Sequence, residues 1–440
     1  MVDKSSSNPA GRAAAIRAIA GWLRGGEFPA RALPSDSPLA LEIVQGVMRN
    51  LSALDFAIAP LCRKRPSPAA RAALLAGAWQ LLVADDIPDY AAVAETVSAS
   101  RAVPGVMPGF VNGVLRNILR GRDSILLDIS RAPIEVRTSF PEQLVARWRR
   151  DFGDDAAHDI CEAGRGIPPT TVFPLPFSNA AATQAILADF AAAGIAGARA
   201  TPDGGISIPR GIAVADLPGY ADGRFIVQDA ATLASIEMLA PRPGETVLDL
   251  CAAPGGKTMQ IAALVGESGH VVALDASARR LERLRENLRR THLSGRVETA
   301  VCDAASPDLA RIADGRRFDA ILADVPCSNS GVMARRPDAR WRWSAYEVAR
   351  LARLQLAILE NAATLRAARI VYSTCSIDPV EDSGVAAAFA SSPAGGDYVQ
   401  DASKLSLPLG RGYAFDKDGK FLPTDWRDGA FAALFTLRKR

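Results

Sequence analysis

Apolar residues recur on two different periods along the 440-residue chain, and the period changes near residue 226. In the opening stretch Ile16, Ile19, Ala20 and Leu23 fall at helical spacing, with Arg12, Arg17 and Arg24 interleaved. That is the pattern of a helix with one face against a core. The same reading predicts helices over 39–51, 71–83, 91–100 and 110–119, separated by breaks such as Arg65-Pro66-Ser67-Pro68. Beyond residue 226, short apolar runs at 246–250, 271–274, 297–301, 320–323 and 369–373 alternate with helical stretches such as 278–290 and 346–363. Strand–helix alternation implies a parallel sheet covered on both faces, with ligands at the carboxyl ends of the strands. Between these regions lie an amphipathic helix at 141–152 carrying Arg147, Trp148, Arg149 and Arg150, a strand-like piece at 168–173 and a helix near 180–193. The expected fold is multidomain: an all-α domain over 8–128, a small α+β linker module over 131–225 and an α/β domain over 226–440. A chain of this length suits two or three domains.

Composition narrows the class. With 49% hydrophobic and 22% charged residues the chain reads as globular. No apolar run approaches the roughly 18 residues of a membrane span. Met1-Val2-Asp3-Lys4-Ser5-Ser6-Ser7 has no apolar core of the signal-peptide kind, so a cytoplasmic protein is expected. The net charge of +3 is uneven, with 19 Lys/Arg against 13 Asp/Glu in residues 1–150. A basic first third suits a polyanion-binding module and equally an ordinary solvated surface. The six cysteines have no zinc-site spacing and are too few for a disulfide scaffold, while His158, His270 and His292 are scattered. Reduced thiols and no metal are expected.

A Gly-rich turn follows the first strand of the α/β region: Asp249-Leu250-Cys251-Ala252-Ala253-Pro254-Gly255-Gly256-Lys257-Thr258. Adjacent glycines let a ligand approach the backbone. The turn is not a P-loop, because Cys251 stands where the first glycine of that motif belongs. Asp275, Asp303 and Asp324 follow or end the next three strands. Strand-end Asp is often only a turn former. Here Asp275 is placed to accept ribose hydroxyls and Asp303 an adenine amino group. This turn resembles the glycine-rich motif of Rossmann-like methyltransferases, which implies S-adenosyl-L-methionine as cofactor.

Two thiols follow neighbouring strands, in Asp324-Val325-Pro326-Cys327-Ser328 and Ser373-Thr374-Cys375-Ser376. Strand ends adjacent in a sheet would bring them to one pocket. Cys251 and Cys302 read better as packing residues. A nucleophilic thiol needs help, since at a pKa of about 8.5 only about 3% is thiolate at neutral pH. Lys257 is a candidate for lowering it. Spacing leaves open which of the two thiols attacks.

Two family resemblances follow from these residues. Leu41 to Asn50 (LEIVQGVMRN), Arg71 to Leu82 (RAALLAGAWQLL) and Gly109 to Leu119 (GFVNGVLRNIL) resemble the NusB family of RNA-binding domains. Asp-x-Pro-Cys-Ser, Thr-Cys-Ser and the Cys-Ala-Ala-Pro-Gly-Gly-Lys-Thr turn resemble the RsmB/NOP family of RNA cytosine-C5 methyltransferases. Asp428-Gly429-Ala430-Phe431 stands where that family usually has Asp-Gly-Phe-Phe. The resemblance implies that Cys375 attacks C6 of the base, Cys327 assists release, and Asp324 contacts base and cofactor. It places the cofactor against Cys251, Ala252, Ala253, Pro254, Gly255, Gly256 and Lys257, with Asp275, Arg280, Asp303 and Asp324 beyond. A NusB-like domain ahead of the catalytic domain is similar to the members that methylate 16S ribosomal RNA at cytosine 967; a monomer is expected, acting on 16S RNA either naked or within a small-subunit assembly intermediate. Two rivals remain: a transfer-RNA methyltransferase and a non-catalytic RNA-binding factor. The basic, aromatic run Ala334 to Trp343 (ARRPDARWRW) is expected to contact RNA. The family's Arg-x-Asn segment after Pro168-Pro169 is replaced here by Thr171-Val172-Phe173-Pro174.

Overall fold

A computed structural model describes residues 9–34, 37–313, 315–401, 419–424 and 427–438. The opening residues Met1–Ser7, read above for the absence of a leader, lie outside them. The chain divides into two units, Met1–Ile167 with Met333–Arg342, and Pro168–Val332 with Trp343–Arg440. No helix among the described residues is long and apolar enough to cross a membrane.

The first unit is helical. Pro9–Leu23, Pro38–Ile58, Pro68–Leu82, Asp89–Ser100 and Pro108–Arg120 enclose a core containing Ile16, Ile43, Val47, Leu74, Leu75 and Leu115. Four of these five helices begin with proline, whose fixed φ and missing N–H suit the first helical position. Helices close up where side chains are smallest. Gly46 lies under Trp79 and Gly77 under Leu115, each too near for a Cβ. Inside this core Arg12 Nε donates to Gln80 Oε1 at 2.8 Å, and Gln80 Nε2 donates to Thr96 Oγ1 at 2.9 Å.

Within the basic run after Cys327, Arg336 and Arg342 are exposed, whereas Arg340 departs from the expectation of RNA contact. Met333–Arg342 packs with the helical unit, and Arg340 is fully buried. Its guanidinium donates to the carbonyl oxygens of Arg49, Thr138 and Ser139 at 3.2 Å, Met333 at 3.1 Å and Gly164 at 2.9 Å. It lies 3.9 Å from the Phe140 ring centroid. Burial, with Arg49 nearby, pulls this guanidinium down to about 9. Trp341 Nε1 donates to Met48 O at 2.7 Å, and Arg49 Nη2 to Ala334 O at 2.6 Å. The physical reason for the departure is that converging carbonyl dipoles can hold a cation away from water. A charge-based reading assigns such a cation to the surface.

The stretch expected as one linker module is divided between the units. Glu142–Phe152 and Asp154–Arg165 fall with the helices. The strands β1 (Thr170–Pro174), β2 (Arg199–Ala200), β3 (Ile206–Ile208) and β4 (Phe225–Val227) form an antiparallel sheet in the second unit, in the order β2-β3-β1-β4. Phe190 and Phe225 meet edge-on in its small core, their centroids 5.6 Å apart.

The main sheet uses β5 (Thr246–Asp249), β6 (His270–Asp275), β7 (Val297–Val301), β8 (Ala320–Asp324), β9 (Arg369–Thr374), β10 (Tyr398–Gln400), β11 (Lys420–Phe421) and β12 (Ala430–Leu437). Its order is β10-β12-β9-β8-β5-β6-β7, with β11 paired to β12. β5 to β9 are parallel as expected, whereas β12 runs antiparallel against β9 with Leu434 opposite Val371. Two packed layers cover the sheet, one around Val247, Val271 and Leu322, the other around Leu248, Val272 and Ile321. Successive residues of each strand thus supply opposite faces.

Candidate active site

At the end of β5, Asp249 is buried beneath the following turn and accepts Thr258 Oγ1 at 2.7 Å. Burial pushes its carboxyl up to about 7 despite that hydrogen bond. Cys251, Ala252, Ala253 and Pro254 form the turn, which Ala252 N ties to Leu274 O of β6 at 2.8 Å. Gly255 takes φ +106°, and a Cβ there would stand 2.2 Å from Leu284 Cδ1. Gly256 and Lys257 open the helix Gly256–Val265, whose first N–H groups lack intrahelical partners and suit an electron-rich ligand. The half-buried Cys251 thiol is pushed up by burial and by Asp249, Asp324 and Asp275.

Asp275 ends β6 almost wholly buried. Its Oδ1 accepts Ser277 N at 2.8 Å and Arg280 Nη2 at 2.8 Å, and its Oδ2 accepts Ala253 N at 3.3 Å. Arg280 therefore fixes the carboxylate while remaining half exposed. Asp303 lies two residues beyond β7, exposed, with Oδ1 accepting Ala305 N at 3.0 Å.

β8 and β9 lie side by side, with Asp324 opposite Ser373. Ser373 Oγ donates to Asp324 Oδ1 at 2.8 Å, and Lys257 Nζ meets Asp324 Oδ2 at 2.6 Å. The ammonium considered above as an aid to the thiol is thus paired with a carboxylate. Cys327 Sγ and Cys375 Sγ are 3.1 Å apart. Proximity to Cys375, followed by burial, pushes the Cys327 thiol well above its ordinary range.

Sequence reasoning missed several residues around this pair. Asn329, at φ +62°, donates from Nδ2 to Cys327 O at 2.9 Å, and its Oδ1 lies 3.4 Å from Cys375 Sγ. Glu381 is fully buried and accepts from Ser328 N, Ser376 Oγ and Gln355 Nε2. Its signal was a cluster of three acids in Asp378-Pro379-Val380-Glu381-Asp382, just after the second thiol.

A parallel sheet with one reversed strand, a glycine turn after β5 and an acidic end to β6 define the Rossmann-like methyltransferase fold. Among solved structures, PH0851 superposes with a TM-score of 0.72 at 22% identity, covering 98% of this chain and 99% of that one. NSun6 from Pyrococcus horikoshii, solved with SFG, gives 0.57 at 19% identity, over 68% and 99%. These likenesses concern the fold. Residues 236–436 match the model of the 16S rRNA methyltransferase RsmB/F family, and residues 11–120 that of the NusB family. Ribosomal RNA small subunit methyltransferase B of Pseudomonas putida is 35% identical over 91% of this chain and 94% of its own length. Its counterpart in Pasteurella multocida is 36% identical over 79% and 77%. The chain belongs to the 16S rRNA methyltransferase RsmB/F family and is an RNA methyltransferase.

Proposed function

We propose that the protein transfers a methyl group from S-adenosylmethionine to C5 of a cytosine in 16S ribosomal RNA, through a covalent bond between Cys375 and C6. The observation that carries this reading is the 3.1 Å approach of Cys327 and Cys375 beside the Asp324–Lys257 pair. The residues present fit the cofactor. Gly255 and Gly256 leave the turn without side chains, and Asp275 Oδ2, with one long hydrogen bond, keeps acceptor capacity for ribose hydroxyls. Cys251 to Lys257, Asp275, Arg280, Asp303 and Asp324 would hold it. When bound, it supplies an electrophilic methyl group.

C5 of cytosine is too poor a nucleophile to take that methyl unaided. Addition of the Cys375 thiolate to C6 places an electron pair on C5, with Asp324 at the polar edge of the base. The Cys327 and Cys375 sulfurs, 3.1 Å apart, are close enough to share a proton, and Asn329 Oδ1 lies 3.4 Å from Cys375 Sγ. Once Cys375 is a thioether it no longer shares a proton with Cys327, and Cys327 releases its own proton to solvent. The Cys327 thiolate is then placed to take the C5 proton as the C5–C6 double bond re-forms and the Cys375 sulfur departs as a thiolate. Cytosine 967 is the position the family resemblance supports.

Wild type, Cys327→Ala and Cys375→Ala are to be compared with 16S RNA, a transfer-RNA pool and labelled methyl donor. Products are read as mapped 5-methylcytosine and as protein–RNA adduct on denaturing gels. An adduct that accumulates in Cys327→Ala and is missing in Cys375→Ala is expected. An adduct in Cys375→Ala would reverse the roles, and methylation of the transfer-RNA pool alone would overturn the substrate.

A further inference from the structure

Two chain segments that meet only in space must hold their sulfurs at reacting distance. Ser328, next to Cys327, donates its backbone N–H to Glu381 Oε1 at 2.8 Å. Ser376, next to Cys375, donates its hydroxyl to Glu381 Oε2 at 2.8 Å. Each carboxylate oxygen thus takes the residue directly after one thiol. Gln355 reinforces the arrangement: its Nε2 donates to Glu381 Oε1 at 3.0 Å and to Pro326 O, just before Cys327, at 2.9 Å. Its Oε1 accepts the Tyr372 hydroxyl of β9 at 3.0 Å.

We propose that Glu381 is a positioning residue, a two-oxygen bridge that sets the distance between the Cys327 and Cys375 sulfurs by tying together the loops that carry them. The inference rests on the reading of these thiols as the reacting pair. Glu381 itself touches neither sulfur within hydrogen-bond range among the described contacts, so it acts through the loops. An acceptor-only group is needed because both arms are donors. A carboxylate supplies two acceptors from one rigid plane, and burial of the whole side chain leaves no water to take over either bond.

The bridge separates two substitutions of similar length. Glu381→Met fills the space and offers no acceptor to either loop. Glu381→Gln keeps one oxygen for Ser328 N–H, and the Ser376 hydroxyl can turn to accept the amide. Two readouts follow on the full chain. The first is the single-turnover rate of the Cys375–RNA adduct, with RNA KM and S-adenosylhomocysteine affinity measured alongside. The second is formation of a Cys327–Cys375 disulfide by diamide, mapped by peptide mass. In that reaction the two thiols lose two electrons and two protons, the diazene becomes a hydrazine and one S–S bond forms.

Glu381→Met is expected to slow adduct formation about 100-fold, the order of loss for a misplacement near 1 Å, while KM changes less than about twofold. Disulfide formation is expected to slow about tenfold or more, and Glu381→Gln to restore both rates to within about fivefold of wild type. Wild-type rates in Glu381→Met, with cofactor affinity intact, would overturn the proposal. If Glu381→Met fails to bind S-adenosylhomocysteine, Ser376→Ala, which cuts one arm, takes its place under the same criteria. Should wild type form no adduct on Cys375, the functional reading fails, and the disulfide comparison still decides the role of Glu381.

Discussion

Gly255→Ala tests the cofactor turn most sharply, because its neighbour Gly256 serves as an internal control for stability. At φ +106° an alanine sits in a backbone region L residues avoid, at a cost of about 1–3 kcal/mol. The new Cβ would also lie 2.2 Å from Leu284 Cδ1, far inside the roughly 3.5–4.0 Å of a carbon contact. Leu284 is packed in the core with Leu281 and Leu288, so relief of that overlap costs about another 1–3 kcal/mol whether the leucine shifts or the turn lifts. The sum is about 2–6 kcal/mol. If the turn lifts and only the lower bound reaches the ligand, S-adenosylhomocysteine affinity falls about 30-fold. An alanine at Gly256 would meet no protein atom nearer than Gln228 at 3.8 Å, so little change in thermal stability is expected there, although its Cβ enters the space the cofactor would fill. Titration calorimetry and thermal melting of both variants divide the loss between binding and stability. A Gly255→Ala protein as stable to heat as Gly256→Ala would refute the steric argument.

Arg340→Met in the helical unit strands five buried carbonyl oxygens, and a loss of about 3–5 kcal/mol is expected. Arg340→Lys, with three donors in another geometry, should rescue little of it; denaturant unfolding that left both variants at the wild-type midpoint would sink this account. Asp249 gives a pH signature. Its folded carboxyl titrates near 7 against an ordinary 3.8, so between about pH 4 and 7 the folded protein binds the extra proton and stability from this group falls as pH rises. Asp249→Asn, which still accepts the Thr258 hydroxyl, should therefore gain on wild type between pH 5 and 7.5 in ligand-free melts; an equal gap at both pH values would rule that out.

Legibility followed local signal. The spacing of Ile16, Ile19 and Leu23, and the short apolar runs ending at Asp249, Asp275 and Asp324, carried their elements because burial on one face or two imposes those periods. Adjacency of the two thiols was readable from strand order. β12 was missed because residues 430–435 are one unbroken apolar run, which shows no alternation when both faces are covered. Arg340 was misread because a cation's charge says nothing about whether five carbonyls await it. Glu381 carried too weak a cue, since its partners are a backbone amide and two neutral side chains, none of which advertises a carboxylate.

The insertion of Met333–Arg342 into the helical unit also bears on biosynthesis. Residues 168–332 intervene, and at about 5–20 residues per second a ribosome spends on the order of ten to thirty seconds on them. Throughout that interval the helices already translated lack the guanidinium that closes their interior. The nascent amino-terminal unit is thus an unfinished vessel until four strands of the methyltransferase sheet, β5 to β8, have been made, and it closes before the remaining strands of that sheet are translated.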